Sequence, residues 1–176
     1  KFHDIPTTVA RACFAASQTG AELISVHTCA GTKALKMAME ASREGAAKVN
    51  LPPPKLLGIT ILTSWTQESF VEDLSIDQSL EKRVKHLAKI ASTSGLGGCV
   101  CSPREVRILR EFYPEPFELV TPGIRPFGSD LNDQSRVSDA SEALELGASR
   151  LVIGRAVTQS NDPAYVFKSF CNKVSI

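Results

Sequence analysis

The chain has 176 residues, 43% hydrophobic and 22% charged, which suffices for one compact domain with a substantial core. Twenty Lys plus Arg against nineteen Asp plus Glu leave a formal charge of +1, and that balance argues against a nucleic-acid or polybasic membrane surface. Gly and Pro are present in ordinary numbers, 11 and 10, so a collagen-like or low-complexity chain is excluded; no apolar run reaches the ~18 residues of a membrane-spanning helix, and no segment reads as a secretory signal.

In chain order, Val9, Ala12, Cys13 and Ala16 recur at helical spacing over residues 8–19, and Gly20 stops them. Residues 23–26 are a short β-like run ending at His27. Residues 32–47 read as an Ala- and Met-rich helix. A Pro-rich surface connection, Pro52 to Pro54, precedes an apolar strand over 56–62. Val84, Leu87, Ala88 and Ala91 share one face of a helix over 82–94. A strand at 99–101 leads to a helix opened by Ser102 as cap and Pro103 at its first position. The strand 117–121, a helix over 138–146 stopped by Gly147, the strand 151–153 and a last helix from about Asp162 complete the pattern. Five strands, each followed by a helix, plus one leading helix make a parallel α/β sheet. The near-continuous apolar strands fit burial on both faces, and residues 1–176 read as a single domain.

The five cysteines, Cys13, Cys29, Cys99, Cys101 and Cys171, are odd in number and form no C-x-x-C pair. This argues against a disulfide framework or structural zinc site and for buried thiols in a reducing cytoplasm.

Polar residues gather just after the strands: His27 and Thr28, then Thr63 and Ser64, then Ser102, then Thr121-Pro122-Gly123-Ile124-Arg125-Pro126, then Gly154-Arg155. Ligands bind at the carboxyl ends of strands in parallel α/β folds. Any one of these residues also serves as a helix cap or turn former; five in succession point to one shared site. Gly154-Arg155 suits a phosphate, since the Gly amide allows close approach and the guanidinium offers a bidentate partner. Arg125 either reaches a phosphate or braces its loop, and Gln134 is a candidate ligand donor. Lys1 and Asp4, three residues apart, form a candidate charged pair for proton transfer. His3 has no evident partner, His86 reads as surface, and His27 either lines the site or satisfies a backbone group.

These residues together resemble the orotidine 5′-phosphate decarboxylase family. The resemblance rests on K-F-H-D-I-P-x-T at 1–8, L-T-S at 62–64, V-T-P-G-I-R-P-x-G-S at 120–129, D-Q-x-R at 133–136, V-I-G-R at 152–155 and D-P at 162–163. It implies a cytoplasmic homodimer of (β/α)8 TIM barrels with shared active sites, using neither metal nor organic cofactor. A barrel of this kind takes about 250 residues, so strands 1 and 2 and most of 3 are expected to precede this chain, leaving it the C-terminal portion. The family's D-x-K-x-x-D signature aligns its catalytic Lys with Lys1 and its second Asp with Asp4. The first Asp of that signature, a strand-one Asp and a strand-two Lys have no counterpart here, so these 176 residues alone are expected to be inactive.

By the same resemblance the reaction takes CO2 from C6 of the orotidine 5′-phosphate pyrimidine, and Lys1 protonates C6. Asp4 flanks the ammonium and Thr8 lines the site across the dimer. Thr63 and Ser64 bond the pyrimidine or nearby groups. Pro122 opens a substrate-covering lid running to Asp133, and Arg125, Gln134, Gly154 and Arg155 hold the phosphate end. Two other readings remain at this point: a Mg-dependent sugar-phosphate decarboxylase of the same suprafamily, and a phosphoribosyl-binding remnant without turnover.

Overall fold

The computed structural model describes residues 1–124 and 139–174. Arg125, Gln134 and most of the expected lid lie outside the described residues. Parallel strands alternate with helices, and the strands follow one another in chain order. The chain divides into two compact units.

The first unit comprises residues 1–60, 81–100 and 116–118. Helix α1, Pro6–Ser17, starts with Pro at its first turn, the position where a missing N–H costs nothing. Strand β1, Leu23–His27, pairs in parallel with β2, Lys55–Ile59, and β2 with β3, Gly98–Val100. Between β1 and β2 run a 3-10 turn at Thr28–Ala30 and helix α2, Thr32–Lys48. Helices α1 and α2 lie close because Gly45 has no side chain: a Cβ there would strike Ser17 Oγ and the Phe14 carbonyl. Val9, Cys13, Val26, Leu35, Leu56, Val84 and Leu87 form the core of this unit, each at most 1% exposed. At the amino ends of the strands, Lys55 donates to Glu118 Oε1, and a Cβ on Gly97 would collide with that Lys side chain.

The expected strand over 56–62 is shorter than its apolar run. It ends at Ile59, where the last ladder bond runs from Thr60 N–H to Val100 O at 3.2 Å and the Thr60 hydroxyl donates to the same carbonyl at 2.7 Å. Leu62 is 41% exposed. Helix α3, Gln67–Leu74, occupies a stretch that the apolar pattern leaves unassigned, and α4 follows at Leu80–Thr93.

The second unit comprises residues 61–80, 101–115 and 119–176. Within it Cys101 N donates to Val120 O at 3.1 Å. Helix α5, Pro103–Phe112, starts after Ser102 as predicted, and the bond at its start comes from Ser102 N, which donates to Glu105 Oε2 at 2.7 Å. Strand β4, Glu118–Thr121, pairs in parallel with β5, Arg150–Leu151. Helix α6, Ala140–Glu145, is capped by Asp139 and halted by Gly147 at φ +104°. Arg110 clamps that turn: its guanidinium donates to Gly147 O from two nitrogens, at 3.0 and 2.8 Å, and to Ser149 Oγ at 2.9 Å. A four-residue helix α7, Arg155–Thr158, precedes α8, Pro163–Val174, whose Tyr165 N–H is capped by Asp162. The motif reading gave no helix at α7. Phe70, Val106, Leu109, Leu119 and Ile124 are fully buried here.

Candidate active site

In the first unit the chain enters alongside β1. Phe2 forms a parallel bridge with Val26; its N–H donates to Ser25 O at 3.0 Å, and its carbonyl accepts from His27 N at 2.8 Å. Residues 1–3 therefore run parallel to β1, and Lys1 and His3 flank the bridged residue. Lys1 and Asp4 are both exposed. The expected Lys1–Asp4 pair is not formed: Asp4 Oδ1 instead accepts from Ile5 N at 2.6 Å, ahead of α1. Thr8 is exposed on the first turn of α1.

His3 has partners that spacing did not disclose. Its ring stacks on His27 with centroids 5.0 Å apart and planes 28° apart, and its Nε2 lies 3.6 Å from Cys29 Sγ. Cys29 is exposed and Cys171 half-buried, so the expectation of uniformly buried thiols holds only for Cys13, Cys99 and Cys101. Strand β1 ends at His27, and the 3-10 turn that follows swings Cys29 outward. Burial first, then the charges of His3 and Lys1, lower the His27 imidazole below its usual range and favour its neutral form. Burial likewise pushes the Cys13 thiol up to about 11.

In the second unit Thr63 is buried and Ser64 exposed, in the turn between β2 and α3. Pro122 is half-buried after β4, and Gly123 takes φ +80°, which a side chain would resist. Gly154 caps α7 and is exposed, with open space where a Cβ would stand; Arg155 is the first residue of that helix and half-buried. Lys1, Asp4 and Thr8 thus share one segment of the first unit, whereas Thr63, Ser64, Pro122, Gly154 and Arg155 belong to the second.

Three hydroxyls at strand ends, Thr28 Oγ1, Ser102 Oγ and Thr121 Oγ1, are buried without a partner among the described residues. Such groups are uncommon in proteins, and each calls for an explanation; Ser42 Oγ, Gln78 Oε1 and Ser94 Oγ are in the same state away from the strand ends. Ser102 and Thr121 were noted in the sequence only as strand-end polar residues; what distinguishes them is burial, which a motif does not display.

A family model described as "Orotidine 5'-phosphate decarboxylase / HUMPS family" matches residues 1–170. The chain is 80% identical over all 176 residues to an orotidine 5'-phosphate decarboxylase of Prochlorococcus marinus (strain NATL2A), covering 73% of that protein. It superposes on the crystal structure of orotidine 5'-phosphate decarboxylase from Lactobacillus acidophilus with a TM-score of 0.83 at 31% identity, covering 100% of this chain and 73% of the other. The enzyme of that name from Pyrococcus horikoshii OT3, at 18% identity, shares the fold with a TM-score of 0.69, over 99% of this chain and 71% of that one. These likenesses agree with the expected (β/α)8 class. The chain belongs to the orotidine 5'-phosphate decarboxylase / HUMPS family.

Proposed function

We propose that the protein converts orotidine 5′-phosphate to UMP and CO2, the last step of UMP biosynthesis. The observation that carries this reading is the 80% identity over all 176 residues to a protein named for that activity. In the reaction the bond from C6 to the carboxylate breaks, CO2 departs, and the electron pair stays on C6. Lys1 then gives that carbon a proton from its ammonium. Its place beside Phe2, tied by two backbone hydrogen bonds to β1, gives the chain around it a fixed register. Asp4 supplies one of the carboxylates that favour the charged Lys, from across a homodimer interface that Thr8 also lines.

Thr63, buried in the turn after β2, and Ser64 bond the pyrimidine. Pro122 begins the loop that covers the substrate. Gly154, open at its Cβ position, admits the phosphate to Arg155, and Arg125 and Gln134 complete that grip. Binding energy from the phosphate, remote from C6, is then available to close the loop and lower the chemical barrier. No helix among the described residues is long and apolar enough to cross a membrane, and a cytoplasmic location fits a small-molecule biosynthetic step.

The test is turnover by the complete protein of orotidine 5′-phosphate and, separately, of a β-keto acid sugar phosphate, each with and without a chelator. We expect UMP from the first substrate at a rate the chelator leaves unchanged. Turnover of the sugar phosphate alone, abolished by chelator and restored by Mg2+, would overturn the assignment in favour of the enediolate-forming branch.

A further inference from the structure

We infer that His3, His27 and Cys29 form a binding site for a thiophilic divalent cation of the zinc class. The inference stands apart from the decarboxylation reading and rests on the geometry of the first unit alone. Each of the three residues offers one ligand atom, and these atoms all lie within 4.8 Å of one another.

The spacing is near that of a coordination shell. With Zn–N of about 2.0–2.1 Å and Zn–S of about 2.3 Å, tetrahedral ligand atoms stand roughly 3.4–3.6 Å apart. The Cys29 Sγ to His3 Nε2 separation, 3.6 Å, already has that value. The remaining contraction, from at most 4.8 Å, is up to roughly 1.2–1.4 Å, which needs rotation of the imidazole side chains out of their stack.

The backbone holds all three donors in place. His3 follows directly on Phe2, and His27 N donates to Phe2 O at 2.8 Å, so the two histidine-bearing segments are tied together. Cys29 sits on the 3-10 turn that starts at the next residue, closed by the Gly31 N–H to Thr28 O bond at 3.0 Å. Two imidazoles and a thiol suit zinc, cobalt or copper and are poor ligands for Mg2+ or Ca2+, which take oxygen. His3 and Cys29 are exposed, so an ion has a path in, and three protein ligands leave a fourth position for water. The simpler occupant of this geometry is a thiol–imidazole hydrogen bond beside a ring stack, and the experiment separates the two.

The probe is Co2+, added to the complete, reduced protein and followed by absorbance. We expect one equivalent to bind with a thiolate-to-cobalt charge-transfer band and visible bands of tetrahedral intensity, all displaced by Zn2+. Cys29→Ser removes the charge-transfer band. His3→Gln keeps the band and lowers Co2+ affinity at least about tenfold, since loss even of an outer-sphere partner costs about 10–100-fold. Cys171→Ser, outside the cluster, changes neither. Circular dichroism confirms that each variant is folded, and His3 and Cys29 are exposed enough for substitution to leave the core intact. No uptake by the folded protein, a charge-transfer band that survives Cys29→Ser, or an affinity unmoved by His3→Gln overturns the site.

Discussion

Beside and just after β1 the first unit carries side chains able to carry a proton or to offer nitrogen, oxygen or sulfur ligand atoms: Lys1, His3, Asp4, His27 and Cys29. The second unit carries hydroxyls, a turn glycine and a guanidinium: Thr63, Ser64, Gly123, Gly154 and Arg155. The first set suits bond making at carbon, because an ammonium or imidazolium can surrender its proton. The second suits grip, because a guanidinium keeps its charge at any working pH. The scaffolds differ as well. Close helix contact at Gly45 packs the first unit, whereas the Arg110 clamp on Gly147 and Ser149 braces the second.

The sharpest way to break this contrast is to remove Lys1, the proposed proton donor. In the complete protein Lys1→Ala should cut turnover about 100- to 10,000-fold, the usual reach of general acid catalysis, while UMP affinity stays within a few-fold. Arg155→Ala should do the converse and weaken UMP binding by about 2–5 kcal/mol, the scale of a lost charged pair in a closed site, as titration calorimetry would read. Unchanged affinity would place the phosphate elsewhere.

The scaffold comparison predicts smaller effects. Gly45→Ala forces a Cβ onto Phe14 O and Ser17 Oγ and should cost about 1–3 kcal/mol in denaturant unfolding, the range for overpacking. Arg110→Met should cost about 1–3 kcal/mol by leaving the Gly147 carbonyl and Ser149 without their partner. A silent Gly45→Ala would show that α1 and α2 are not in close contact.

The mildest test reads the thiols. A raised thiol pKa means less thiolate at a given pH, so Cys13, pushed up to about 11 from 9.0, is almost wholly protonated at pH 8 as well as occluded. The exposed Cys29 should react first with a thiol reagent at pH 8. Cys13, Cys99 and Cys101 should react only on unfolding. Rapid labelling of all five would contradict the burial described.

Much of the scaffold was legible in the sequence because its signals are local. The Ser102-Pro103 start, the Gly147 stop and the apolar strands each impose their structure within a few residues. Helix α3 escaped because only Phe70 along it is buried, leaving no apolar stripe to read. The apolar run overextends β2 because Ile61 and Leu62 continue its hydrophobicity beyond Ile59, the last residue paired with β3. The site was legible as motifs, one strand end at a time. The cluster of His3, His27 and Cys29 was not, since residue 3 meets residues 27 and 29 only through the parallel bridge of Phe2 with Val26. The orphaned hydroxyls of Thr28, Ser102 and Thr121 were equally hidden, because burial is a property of the folded chain.

The division of labour is tested most directly by the mass of the UMP formed from orotidine 5′-phosphate in D2O by the complete protein and by its Lys1→Ala variant. We predict UMP bearing a single deuterium at C6 from the unsubstituted protein, and at least about 100-fold less product from a folded Lys1→Ala variant that still binds UMP. Equal yields of deuterated UMP from the two would contradict the assignment of proton delivery to Lys1.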